Sequence, residues 1–169
     1  MEPDKILLEA TLVFLVREDA VLLPMKARKI GAGCRNGYGG GIDAGETAEQ
    51  CALRELSEEA GVHGDASALA KRAVIDFHNT TTDGGAFTCR CHVYLLTAWE
   101  GEPIESAEML DPQWFMIAEL PLTELMPADP YWLPPVLAGE RIYGEAWYGP
   151  KQKTLLRSVT IASLPDSLA

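Results

Sequence analysis

Basic side chains are scarce in this chain: 14 lysines and arginines stand against 25 aspartates and glutamates, leaving a formal net charge of -11. Nonspecific attachment to a nucleic-acid polymer is driven by phosphate neutralisation and counterion release, so this balance argues against it. A polyphosphate ligand would need a local cation. Long apolar runs are missing too, since the stretch from Ala10 to Val16 is broken by Arg17, Glu18 and Asp19, far short of a membrane span. With no basic region in MEPDKILLEA, a cytoplasmic protein without a membrane partner is expected. Cys34, Cys51, Cys89 and Cys91 form no CxxC pair, and His63, His78 and His92 have no ligand spacing, so zinc is unsupported and free buried thiols are expected. No linker, low-complexity tract or solenoid repeat divides the 169 residues, which predicts one domain over 1–169.

What is present reads as alternating strands and helices. Ala10 to Val16 and Val21 to Met25 predict two strands around a tight turn. A glycine-rich loop runs from Gly31 to Gly41. Thr47 with Gln50 three residues later forms a capping-box signal and Gly61 suits a helix end, so a helix is expected over 48–60 with Ala52, Leu53, Leu56 and Ala60 as its buried stripe. Strands are expected at 74–80 and 87–97 around Thr82-Asp83-Gly84-Gly85, and a short one at 114–117. Short helices fit the proline-interrupted segment 120–137. A terminal strand pair is expected at 141–148 and 154–161, completing a mixed sheet with packed helices.

The chain concentrates further negative charge on that helix. Glu55, Glu58 and Glu59 are spaced to share a face, where like charges repel. An ordinary reading is a solvated acidic face. The glycine loop in front favours the alternative, a site for a hard divalent cation such as magnesium, which takes carboxylate, water and phosphate oxygens. Such a cation relieves the repulsion and makes an acidic protein receptive to an acidic ligand. It also leaves a carboxylate such as Glu58 placed to deprotonate water.

The stretch GYGGGIDAGETAEQCALRELSEEAGV resembles the Nudix hydrolase signature, G-x5-E-x7-R-E-U-x-E-E-x-G-U with U a bulky aliphatic residue. Gly40, Glu46, Arg54, Glu55, Leu56, Glu58, Glu59, Gly61 and Val62 fill every specified position, so the box spans 40–62. GAGCRNGYGG before it, EMLDPQWF at 108–115 and MPADPYW at 126–132 resemble segments of the MutT-like oxidised purine nucleoside triphosphatases, and the likeness runs from about residue 8 to 161. The resemblance implies an α/β Nudix fold, an α/β/α sandwich with a mixed curved β-sheet. It implies divalent ions, Mg2+ usually and Mn2+ as an alternative, held by Glu55, Glu59 and the Gly39 carbonyl, with Glu58 as base or further ligand. Glu108 matches a loop glutamate that approaches the metals in relatives, and otherwise reads as an exposed loop acid. Glu46 and Arg54 read as tying loop to helix.

The implied activity is metal-dependent hydrolysis of oxidised purine nucleoside triphosphates, of the 8-oxo-dGTP or 2-oxo-dATP type, to monophosphate and pyrophosphate. Alternatives are a Nudix pyrophosphohydrolase acting on a nucleotide sugar, ADP-ribose or dinucleoside polyphosphate, or a nucleotide-binding module without turnover. The expected partner is a small nucleotide, and the chain is expected as a monomer or homodimer. The purine pocket of the resembling enzymes falls on Thr11, Lys26, Asn36, Met126, Ala128 and Asp129, with Trp132 at its border. Asn36 and Asp129 offer donor and acceptor groups to a purine edge, although Asn36-Gly37 also reads as a simple turn. Several vertebrate-type relatives have tryptophan at Met126, aspartate at Ala128 and lysine at Gly41, which weakens or narrows the expected base recognition.

Overall fold

The computed structural model describes Asp4 and residues 6–169. Strands β1 (Glu9–Arg17) and β2 (Ala20–Lys26) form the expected hairpin, closed by Glu18-Asp19 with Glu18 at a left-handed φ of 55°. The glycine loop ends in a short strand, β3 (Tyr38–Gly41), antiparallel to β1. Helix α1 (Ala48–Ala60) has the predicted bounds and caps. Thr47 Oγ1 accepts from Gln50 N, the Gln50 side chain accepts from Thr47 N, and Gly61 ends the helix at φ 68°.

Two of the later strands, those expected at 74–80 and 114–117, begin five residues earlier than the sequence pattern indicates. β4 (Leu69–Thr80) and β5 (Ala86–Leu96) pair antiparallel across a register shift between Lys71 and Ala73. β6 (Met109–Met116) pairs with β2 across a shift between Leu23 and Met25, which brackets Pro24, a residue with no N–H for the ladder. Helix α2 (Asp129–Leu137) precedes β7 (Ile142–Tyr148), which lies parallel to β4. The predicted strand at 154–161 is not formed. β8 is only Thr160–Ser163, and Leu155 makes a single bridge to Tyr148. Leu155 and Val159 instead pack against the core beside α2, so burial outcompetes continued pairing there.

The sheet order is β6-β2-β1-β5-β4-β7-β8, with β3 branching from β1, and both parallel and antiparallel pairs occur. One face carries α1, whose Ala52, Leu56 and Ala60 pack with Val13, Leu15, Tyr38, Tyr94 and Leu96. The other carries α2, whose Trp132, Leu133 and Val136 pack with Phe14, Ile75, Val93 and Tyr148. Leu53, expected in the buried stripe of α1, is only half-buried, and Cys51 and Glu59 take buried positions instead. All four cysteines are free thiols. Among the described residues no helix is long and apolar enough to cross a membrane.

Candidate active site

Strand β3 and helix α1 meet through glycine. A Cβ on Gly39 would stand 1.8 Å from the Thr11 carbonyl oxygen, and one on Gly40 would stand 2.5 Å from Glu55 Oε1. Bare backbone at Gly39 admits β1 this closely, and at Gly40 it leaves room for the Glu55 carboxylate. The contact is fixed by Gly39 N donating to Glu59 Oε1 at 2.8 Å and by Cys51 Sγ, which lies 3.2 Å from Thr11 Oγ1 and donates to Gly41 O at 3.4 Å.

Helical geometry then grades the glutamates rather than exposing them together. Glu58 is 59% exposed at its side chain and Glu55 16%, while Glu59 sits on the buried face at 8%. Burial pushes Glu59 up to about 7, with Glu55 adding repulsion, against the lowering effect of the Gly39 N–H. Glu55 is raised as well, first by burial. The Tyr38 hydroxyl, buried and without a hydrogen-bond partner among the described residues, is held protonated by burial and then by the charge of Glu59.

Arg54 holds this cluster together. Its Nε and Nη2 donate to the two Glu46 oxygens at 2.7 and 3.0 Å, Nη1 donates to Glu55 at 3.0 Å and to Glu58 at 3.3 Å, and Nη2 donates to Gly41 O at 3.2 Å. The guanidinium holds Glu46 down at about 2. These contacts match the tying role expected of Glu46 and Arg54. Glu108 is paired with Arg28, whose Nε donates to it at 3.1 Å, and this lowers its pKa.

Glu55, Glu58, Glu59, Glu108 and Gly39 all line one cavity of about 1270 Å³. Their donors are exclusively oxygen, the chemistry of a hard divalent cation, and a buried carboxylate pushed to about 7 is one that a cation would return to its ionised form. The residues fit such an ion. Among the described residues no three acidic, histidine or cysteine groups already converge on a single point, because Arg54 engages Glu55 and Glu58. Each carboxylate has lone pairs beyond those that accept from the guanidinium, so a cation can be held while Arg54 keeps them in place.

The residues expected to read a purine divide. Lys26 and Met126 line the cavity; Thr11, Asn36, Asp129 and Trp132 do not. Thr11 is buried against Cys51, and Asn36 Oδ1 accepts from Gly37 N at 2.8 Å, the turn arrangement. Trp132, expected at the border, is wholly buried because its ring packs edge-on to Phe14 at 6.1 Å and its indole N–H donates to Asp129 Oδ1 at 2.9 Å. Burial among these rings pushes Asp129 up to about 7. The alanine at Ala128 is likewise buried, its N–H donating to the Tyr148 hydroxyl at 2.9 Å.

Other lining residues carry no local sequence signal. Cys34, Asn79, Phe87, Cys89 and Gln152 come from separate segments that only the folded sheet brings together.

The NUDIX domain model matches residues 7–136. The chain is 42% identical over 134 residues to a zebrafish (Danio rerio) protein named oxidized purine nucleoside triphosphate hydrolase, covering 79% of this chain and 82% of that one. A mouse (Mus musculus) protein of the same name is 40% identical over the same shares of each chain. The crystal structure of a MutT protein from Bacillus halodurans superposes with a TM-score of 0.77 at 27% identity, covering 94% of this chain and 100% of that one.

Proposed function

The chain belongs to the Nudix hydrolase family, and from that premise we propose that it is a cytoplasmic, magnesium-dependent enzyme that hydrolyses oxidised purine nucleoside triphosphates to the monophosphate and pyrophosphate. The observation that carries this reading is the similarity to the fish and mouse hydrolases across most of both chains. Nudix hydrolases need a divalent metal, and here Glu55, Glu58, Glu59, the Gly39 carbonyl and Glu108 would hold it. The chemistry that ion supplies is neutralisation of phosphate charge and polarisation of the phosphorus under attack.

The remaining roles belong to the protein's own groups. Glu58, the exposed member of the set, takes the proton from the attacking water, whose oxygen bonds to the β-phosphorus as the bridge to the α-phosphate breaks. The monophosphate leaves with the bridging oxygen, and the water oxygen ends in pyrophosphate. Arg54 positions Glu55 and Glu58 without touching substrate, because its donors are engaged by Glu46 and the loop carbonyl. Lys26, whose Nζ donates to Ile30 O at 2.7 Å, lines the same cavity and meets the phosphate chain as a point charge.

A panel of nucleotides assayed for pyrophosphate release tests the reading. The highest kcat/KM is expected for 8-oxo-dGTP or 2-oxo-dATP with magnesium. A nucleotide sugar, ADP-ribose or dinucleoside polyphosphate hydrolysed better than every purine triphosphate would overturn the substrate while leaving the family intact.

A further inference from the structure

The cavity does not end at the glutamates and Met126. It continues to a wall made by the end of β4 and by the turn Gly149 to Lys153, of which the turn lies beyond the residues matched by the family model. Asn79 on that wall is buried at 7% exposure. Its Nδ2 donates to Phe77 O at 3.0 Å, and its Oδ1 accepts from Gln152 Nε2 at 2.8 Å. The carbonyl of Phe77 can only accept, so the orientation of the Asn79 amide is fixed, and that in turn fixes Gln152. Gln152 Oε1 then accepts no hydrogen bond among the described residues, and each amide nitrogen keeps one unspent N–H.

The turn that presents Gln152 is held against backbone preference. Lys151 and Gln152 are successive non-glycine residues at φ 59° and 55°, in the left-handed region that such residues seldom occupy. Gly149 N donates to Thr154 O at 2.9 Å and Gln152 N to Gly149 O at 3.1 Å. Lys151 Nζ is tied to Asp4 at 3.0 Å, and the same carboxylate accepts from Thr82 N and Thr82 Oγ1 at 2.8 Å each. Strain of this kind persists where surrounding contacts over-determine it, and it concentrates at ligand sites.

Of the polar groups first expected to read the base, Asn36 spends its Oδ1 on Gly37 N and Asp129 its Oδ1 on Trp132, and neither residue lines the cavity. We propose that the Gln152–Asn79 amide pair is a specificity-determining element that reads the base of a purine nucleotide, offering it an acceptor and donors from the far wall of the cavity. This rests on the nucleotide-hydrolase reading above and adds the residues that select among its substrates.

The test compares full-length wild type with Gln152→Leu and Gln152→Glu on 8-oxo-dGTP, 2-oxo-dATP, dGTP, dATP and dCTP. Gln152→Leu is expected to raise KM for the preferred purine about 5- to 50-fold with kcat within about 2-fold, and to change the ratio of guanine-type to adenine-type use. Rates on dCTP should hold. Gln152→Glu keeps an acceptor and loses the donors, so its purine preference should change differently from that of the leucine variant; being isosteric, it also carries the test if Gln152→Leu misfolds. Unchanged purine ratios in both Gln152 variants, with wild type active on purine triphosphates, overturn this proposal alone. A wild type inactive on all purine triphosphates overturns the functional reading and this proposal together.

Discussion

The two ends of the cavity are built on opposite plans. At the acidic end, the bonds that join Gly39, Glu46, Arg54, Glu55, Glu58 and Glu59 span at most 20 residues of chain. At the far end, the Gln152–Asn79 bond spans 73 residues and the Lys151–Asp4 pair 147. Glu108 apart, charge is therefore arranged by one loop and one helix, while fit is arranged by the sheet. A mutation at the first end disturbs chemistry within a local frame, and one at the second disturbs how distant segments meet.

The largest expected effect tests the local end. Glu59→Gln should lower kcat by about 100-fold or more in magnesium, because it removes the buried carboxylate from the oxygen set. The amide oxygen still accepts from Gly39 N, so circular dichroism should be unchanged. Near-normal turnover would show that Glu59 is structural and would break the contrast.

A smaller effect is expected at Asp129, where fit meets titration. Its folded pKa of about 7 lies above the ordinary 3.8, so the folded state keeps a proton that the unfolded state releases. Stability is then full below about pH 4 and falls as pH rises toward 7, levelling above it. Asp129→Asn should remove this limb, gaining about 2 kcal/mol over its parent at pH 8 relative to the comparison at pH 5. Urea unfolding in a Glu59→Gln background checks it, since Glu59 is the other carboxyl at about 7 and shifts stability in the same direction. Parallel pH profiles for parent and variant would place the titration elsewhere.

The smallest effect is expected at Gly31, in the loop that lines the cavity. Gly31 lies at φ 88°, and a Cβ there would stand 3.1 Å from Met126 Sδ and 3.4 Å from Lys26 Cδ. Gly31→Ala should cost about 1 kcal/mol in thermal unfolding and raise KM by less than about 5-fold. An unaltered Tm would mean that this loop adapts freely.

The same division governs what could be read in advance. Helix α1 was legible to its end residues because Thr47, Gln50 and Gly61 encode its caps locally. The acidic cluster was legible for the same reason, although its graded exposure depends on packing against β3. The far wall was not. Asn79 is an ordinary residue near a strand end, and nothing in the apolar alternation of 154–161 shows that Leu155 and Val159 are claimed by the core beside α2. The burial of Trp132 and Asp129 away from the cavity was not legible, because their mutual hydrogen bond and shared packing depend on Phe14 and Tyr148, residues far away in sequence.

The parallel pairing of β4 with β7 also sets an order of assembly. A chain growing from its N-terminus holds β1, β3, α1, β4 and β5 once Leu96 has emerged, enough to join the acidic loop to its helix. Ile142 to Tyr148 must follow before β4 gains its second neighbour and the cluster around Trp132 closes. Segments synthesised first tend to fold first, and distant strand pairing is slow. During synthesis, then, the nascent chain passes through an interval in which its acidic loop and helix can already meet and Asn79 is in place, while its partner Gln152 has yet to be translated.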